Sequence, residues 1–224
     1  MLNLLSIGRF SHAKNYDNAP DICRRMILDG MTYIKWFIIG YGNEEHLIRQ
    51  RIAEAGMDDH VFILGKRINP YPYIKACDIY VQPSRYEGKS VTVREAQMLC
   101  KPVVVTNYPT ASSQMKDGID GVIVPLDNEG CARGIVDFIR NKDLQEQIKR
   151  YLQTHDYGNE REVEKLYEII ISLINNKKMA NECFEFWNYF YNSELPKGIQ
   201  YLILNSELKE SIYSINYTLM SILI

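Results

Sequence analysis

The sequence predicts an α/β protein: a doubly wound, mostly parallel sheet followed by a mainly helical C-terminal appendage. Three observations carry that prediction. Short apolar runs alternate with amphipathic stretches over residues 1–175. Runs such as Val103-Val-Val-Thr106 are apolar on both faces, as strands covered by helices on both sides are expected to be. Beyond residue 175 the alternation stops and aromatic-rich, long apolar runs take over. Residues 1–175 are therefore read as the sheet domain and 176–224 as an aromatic-rich tail, expected to be helical.

Each element has its own reason. Leu2–Ile7 is an apolar strand. Helix Pro20–Leu28 follows, with Asp17 or Asn18 able to cap it and Pro20 in the first turn, where a missing N–H is harmless. β-branched and aromatic residues make Ile34–Ile39 a strand. Glu44–Ala55 reads as a helix because Leu47, Ile48 and Ile52 share one face. Strand Val61–Leu64 leads through a Pro-rich turn to a short helix ending over Tyr73–Ala76. Ile79–Gln82, Val103–Thr106 and Val122–Val124 complete the strands. Helices are expected at Val91–Leu99 and Ala111–Lys116, then at Ala132–Arg140, Lys142–Leu152 and Glu160–Ile174. In such a sheet the crossovers are right-handed and ligands bind beyond the carboxyl ends of the strands. The residues that follow each strand are thus the candidates for chemistry.

Charge and cysteine usage exclude some classes. The 224 residues hold 26 Lys plus Arg against 28 Asp plus Glu, a net charge of −2, with no strong basic run to bind nucleic acid. The five cysteines, at 23, 77, 100, 131 and 183, form no C-x-x-C pair. That argues for a reducing compartment and against a disulfide framework or structural zinc. The N-terminus lacks a basic signal-peptide region, and no stretch reaches the roughly 18 uncharged apolar residues of a membrane span. The expected location is the cytoplasm, with attachment at the inner face of a membrane allowed.

Four short stretches stand where ligands should bind. Gly8 ends the first strand, with Arg9 and Lys14 beyond it: a glycine beside two cations suits a pyrophosphate, although for either cation taken alone solvated surface charge is the favoured reading. Gly40-Tyr-Gly42 follows the second strand; Glu45 breaks the dinucleotide fingerprint, leaving a close approach to ligand or a tight turn. Gly88-Lys89-Ser90 is not an NTPase loop, since the first glycine such a loop needs is Pro83. It still leads into a helix N-terminus, an anion site, with simple capping by Ser90 as the plainer reading. Glu87 and Glu95, eight positions apart, are too separated to grip one small group. They could hold the hydroxyls at two ends of an elongated ligand whose anionic centre meets the helix, which describes a nucleotide sugar; two surface glutamates is the alternative. With no D-x-D, H-E-x-x-H or G-x-S-x-G, and histidines dispersed at 12, 46, 60 and 155, no metal ligands are assigned and a metal-independent site is expected.

Taken in order, "SIGRFSHAKN", "FIIGYGNEEHL", the long run from Val61 to Asn107 and "DGIDGVIVP" resemble the carboxyl-terminal, donor-binding half of the group 1 glycosyltransferases, retaining enzymes of the GT-B fold with an E-x7-E motif. The resemblance spans about residues 2–174 and implies a Rossmann-like nucleotide-sugar-binding domain over 1–175. It implies Arg9 and Lys14 on the donor diphosphate, Glu87 on the donor sugar, Gly88, Lys89 and Ser90 as further donors, Glu95 on the ribose, and Gly65 and Lys66 bordering the base. Gly8 and Gly40 would line the binding crevice. The implied activity is transfer of a hexose from a UDP- or GDP-sugar to a glycan, lipid-linked or polysaccharide acceptor with retained configuration. Whole enzymes of the family carry an acceptor domain ahead of this half, whereas this chain begins almost on its first strand. A separate acceptor-domain protein is therefore a candidate partner. The alternative function is a non-catalytic nucleotide-sugar-binding subunit of a split enzyme, or an inactive fragment.

Overall fold

In the computed structural model the strands are β1 (Leu2–Ile7), β2 (Ile34–Ile39), β3 (Val61–Gly65), β4 (Ile79–Gln82), β5 (Val103–Thr106) and β6 (Val122–Val124). They form one sheet in the order β3-β2-β1-β4-β5-β6, parallel throughout. The helices are α1 (Ala19–Leu28), α2 (Glu45–Glu54), α3 (Tyr71–Ala76), α4 (Val91–Met98), α5 (Ala111–Gln114), α6 (Asn128–Arg140) and α7 (Lys142–Thr154). The doubly wound parallel sheet expected from the sequence is the fold of the protein. The structure describes residues 1–157 with Lys165, Tyr167 and Glu168. Two units divide the chain, Met1–Tyr157 and Gly158–Ile224. Of the helix expected over Glu160–Ile174, the three described residues are helical, and the helical tail expected over 176–224 lies outside the described residues.

The two-faced burial follows directly from the apolar runs. Leu4, Trp36, Ile38 and Val104 pack on one face with Ile22 and Met26 of α1 and Ile135 and Ile139 of α6. Their neighbours Leu5, Ile39, Val103 and Val105 pack on the other with Val93 and Ala96 of α4. Successive side chains of a strand point to opposite faces, so a run that is apolar at every position fills both layers.

Strand order reverses between β1 and β4, and there the pairing is short. β1 and β2 stay in register from Leu2↔Ile34 to Ile7↔Ile39, whereas β1 and β4 pair only at Leu4↔Ile79 and Leu5↔Tyr80. Beyond that the buried Ser6 takes over: its hydroxyl donates to the Val81 carbonyl at 2.5 Å and accepts from Trp36 Nε1 at 2.9 Å. One serine thus fastens three strands where the crevice opens. Trp36→Phe removes the indole donor and leaves a small void beside Ser6. It is expected to lower the unfolding free energy by about 2 kcal/mol, read as a shift of the urea midpoint at unchanged slope.

Two helix starts differ from expectation. Neither Asp17 nor Asn18 caps α1 through its side chain: Asn18 bonds Asn15 and Asp17 pairs with Arg85. Helix α6 begins at Asn128 rather than at Ala132, because the Asp127 carboxylate accepts from Gly130 N at 2.8 Å and so caps it. Gly130 and Gly134 obscure that first turn in the sequence, yet close packing explains both. A Cβ at Gly134 would lie 2.4 Å from Val124 Cγ1, and one at Gly130 2.6 Å from Pro125 Cβ, so only glycines let α6 lie this close to β6.

Candidate active site

The loop after β1 is shaped by close approaches. A Cβ at Gly8 would lie 2.8 Å from the Tyr16 hydroxyl and 3.0 Å from Lys14 Cε, so Gly8 makes room for the lysine stem. Phe10 anchors the loop: its N donates to the Tyr41 carbonyl at 2.8 Å and its ring meets Tyr16 edge-on at 5.9 Å. A single 3-10 turn, His12–Lys14, ends in Asn15, which adopts the left-handed conformation. The turn delivers Lys14 inward, while Arg9 stands exposed and takes no part in an ion pair among the described residues.

The loop after β4 meets this one. Arg85 forks onto the Asp17 carboxylate at 2.8 and 2.9 Å and also donates to the His12 carbonyl at 2.7 Å. Its backbone N adds a bond to the Ala13 carbonyl at 2.8 Å. The two loops are thereby strapped together across 73 residues of sequence. Two residues further on, Glu87 Oε1 accepts from Lys14 Nζ at 2.5 Å, from Ser84 Oγ at 2.7 Å and from Gln82 Nε2 at 3.2 Å. The ion pair is largely shielded, its side chains 18% and 11% exposed, so each charge offsets the cost of burying the other.

The turn from Glu87 into α4 is held from its other side. Thr110 Oγ1 lies 2.6 Å from the Glu87 carbonyl and 3.0 Å from that of Gly88. The Gln114 amide accepts from Ser90 N at 2.9 Å and donates to Ser90 O at 2.6 Å. Ser90 is the N-cap of α4, but its side chain makes no capping bond, so simple serine capping is not its role. Gly88 and Lys89 are exposed at the rim.

The other expected residues lie apart from this cluster. Glu95 Oε1 accepts from the Tyr71 hydroxyl at 3.1 Å, and this carboxylate raises the Tyr71 pKa. Lys66, exposed after β3, places its ammonium 5.1 Å over the Tyr41 ring. Gly40 serves backbone packing: a Cβ there would lie 1.9 Å from the Gly8 carbonyl oxygen, and one at Gly42 2.3 Å from that of Phe10. The tight G-x-G turn therefore seats the β2 loop directly against the β1 loop.

Sequence reasoning missed Gln82, Ser84, Thr110, Gln114 and Tyr71, the residues that hold the glutamates and the turn. One signal was available. Gln82 and Thr106 end apolar, buried strands, and both are fully buried polar residues at the carboxyl end of the sheet. A buried neutral polar group needs a partner, so its presence there signals a hydrogen-bonded cluster at the strand ends. Around Glu87 lie three buried phenols, Tyr16, Tyr80 and Tyr108. Burial raises the pKa of each, that of Tyr108 to about 12, with the Glu87 charge a lesser contribution. They remain neutral beside the carboxylate. Among the described residues no group of three or more His, Cys, Asp or Glu is placed to hold a metal ion, and no helix is long and apolar enough to cross a membrane.

Residues 2–155 match the family model described as glycosyl transferases group 1. Among curated proteins, the chain is similar to the N-acetylgalactosamine-N,N'-diacetylbacillosaminyl-diphospho-undecaprenol 4-alpha-N-acetylgalactosaminyltransferase of Campylobacter jejuni, with 26% identity over 67% of this chain and 41% of that protein. Among solved structures, HepE from Anabaena in complex with UDP aligns at a TM-score of 0.67 and 20% identity, over 77% of this chain and 49% of that one. The C-terminal domain of the group 1 family protein LpcC from Francisella tularensis aligns at 0.59 and 19%, over 67% and 82%. The two structures share the fold. The chain spans about two-fifths of the length of the curated relatives it matches.

Proposed function

We propose a reaction from one premise: the chain belongs to the group 1 glycosyltransferases. The proposal is that it binds a nucleoside diphosphate hexose, carrying UDP or GDP, and supplies the donor side of hexose transfer to a glycan, lipid-linked or polysaccharide acceptor. The observation that carries it is the Lys14–Glu87 pair. Loops from either side of the strand-order reversal bring together a cation suited to a diphosphate and a carboxylate suited to sugar hydroxyls. UDP bound to HepE, a protein of the same fold, supports the ligand class.

In this reading Lys14 and Arg9 neutralise the diphosphate without a metal, with help from the N-terminus of α4. Gly88, Lys89 and Ser90 border the phosphate or sugar, Glu95 accepts from the ribose hydroxyls beside Tyr71, and Lys66 flanks the base. An acceptor hydroxyl attacks the anomeric carbon on the face from which the diphosphate departs. The glycosidic C–O bond forms as the C–O bond to phosphate breaks, and the acceptor's proton passes to the departing diphosphate oxygen. Configuration is retained. Stabilising the negative charge that develops on the diphosphate is the main catalytic task. The acceptor surface is assigned to a partner or a further domain, and the working place to the cytoplasm at the inner membrane face.

Titration calorimetry of the full chain with UDP, UDP-glucose, GDP and GDP-mannose tests the binding site. Glu95→Ala is expected to weaken nucleotide and nucleotide sugar alike, by about tenfold for one lost charged hydrogen bond. Glu87→Ala is expected to spare the nucleotide and weaken only the sugar conjugate. Unchanged binding of all four by both variants overturns the site assignment. Release of radiolabelled hexose separates an enzyme from a subunit that binds without turnover.

A further inference from the structure

Glu87 is unevenly committed, and that unevenness has a built cause. All three of its side-chain bonds fall on Oε1; Oε2 takes part in none among the described residues. The donors on Oε1 are themselves fixed. A carboxylate only accepts, so the Gln82 amide must turn its Nε2 towards Glu87, where it also reaches Ser84 Oγ at 2.7 Å. Its Oε1 then faces the Tyr80 hydroxyl at 2.9 Å, deep in the sheet. The Ser84 carbonyl accepts from Thr106 Oγ1 at 2.6 Å, which holds the loop to the end of β5. Tyr80, Gln82 and Ser84 are all wholly buried, so none of this relay is disordered by solvent.

We infer that Gln82 and Ser84 are positioning residues: they saturate Oε1 of Glu87 and hold the carboxylate so that Oε2 is the oxygen offered to the donor sugar. This rests on the proposed donor-binding role of Glu87. The relay does its work before any ligand arrives. A carboxylate locked in one rotamer loses little entropy on meeting a hydroxyl, and its free oxygen retains full acceptor strength. Lys14, the third partner of Oε1, is then able to turn to a diphosphate without freeing Glu87, because two neutral donors keep it in place.

The test compares nucleotide with nucleotide sugar in Ser84→Ala and Gln82→Met, using UDP with UDP-glucose and GDP with GDP-mannose as probe pairs. Each variant is expected to bind the nucleotide within about twofold of the parent and the conjugate about tenfold more weakly. Ser84→Ala removes one hydroxyl and keeps the backbone, so it serves even if Gln82→Met unfolds. A merely structural role would weaken nucleotide and conjugate together, and that result overturns the inference. Parental affinity for the conjugate in both variants also overturns it. If Glu87→Ala alone loses the conjugate, only the relay falls. If Glu87→Ala too binds the conjugate like the parent, or the parent binds no probe, the donor-binding reading falls with it.

Discussion

Lys14→Ala is expected to weaken binding of the parent's preferred nucleoside diphosphate by about 100-fold, the loss of one shielded, charge-assisted contact worth roughly 2.7 kcal/mol. Lys14 is inward-facing and only 18% exposed on its side chain, so no mobile water shell replaces its ammonium cheaply. Exposed Arg9 should matter less and show the steeper salt dependence, because screening acts on exposed charges first. Removing Lys14 also leaves Glu87 without its counter-charge, though Gln82 and Ser84 remain as donors. The variant should therefore fold, with a melting temperature only a few degrees lower. Calorimetry at 50 and 200 mM salt checks both halves of this statement. Diphosphate affinity kept within threefold would show that the cation has another task.

Gly40→Ala carries the second large effect, this time on the fold. Its Cβ would stand 1.9 Å from the Gly8 carbonyl oxygen and 2.7 Å from Phe10 Cε1, and the first of these is backbone that cannot swing aside. The loops after β1 and β2 must separate, breaking the Gly8 N to Ile39 O bond at 3.0 Å or the Phe10 N to Tyr41 O bond at 2.8 Å. A loss of about 3 kcal/mol or more is expected. Gly88→Ala provides the contrast: a Cβ there meets nothing within 4 Å, and the unfolding free energy should stay within about 0.5 kcal/mol. Urea denaturation of the two variants side by side checks the difference.

The sheet was legible because burial on both faces leaves a strong mark: apolar residues at every position, bounded by turns. Five of the six strands carry the expected bounds, and β3 extends one residue to Gly65. Helix α2 was legible within a residue at each end, although of its expected face only Ile48 and Ile52 are buried and Leu47 is exposed. The start of α6 was not, because glycines chosen for close contact with Val124 and Pro125 read locally as helix breakers. In the site, Lys14 and Glu87 were legible by charge and position at strand ends. Their supports were not. Gln82, Ser84, Thr110 and Gln114 are neutral, and their importance depends on partners between 2 and 24 residues away. Gly40 shows a third kind of gap: the sequence allowed a tight turn or an approach to ligand, and the turn is there because another backbone lies against it.

The two ladder pairs between β1 and β4 contrast with six between β1 and β2. Across that junction the ladder gives way to side chains: Ser6, the Arg85 fork on Asp17 and the Lys14–Glu87 pair carry the contact between the two halves of the sheet. A molecule that drew Lys14 and Glu87 onto itself would exchange their direct bond for a bridge between the same two halves. The junction between β1 and β4 is thus held by the same charges that a ligand would have to borrow.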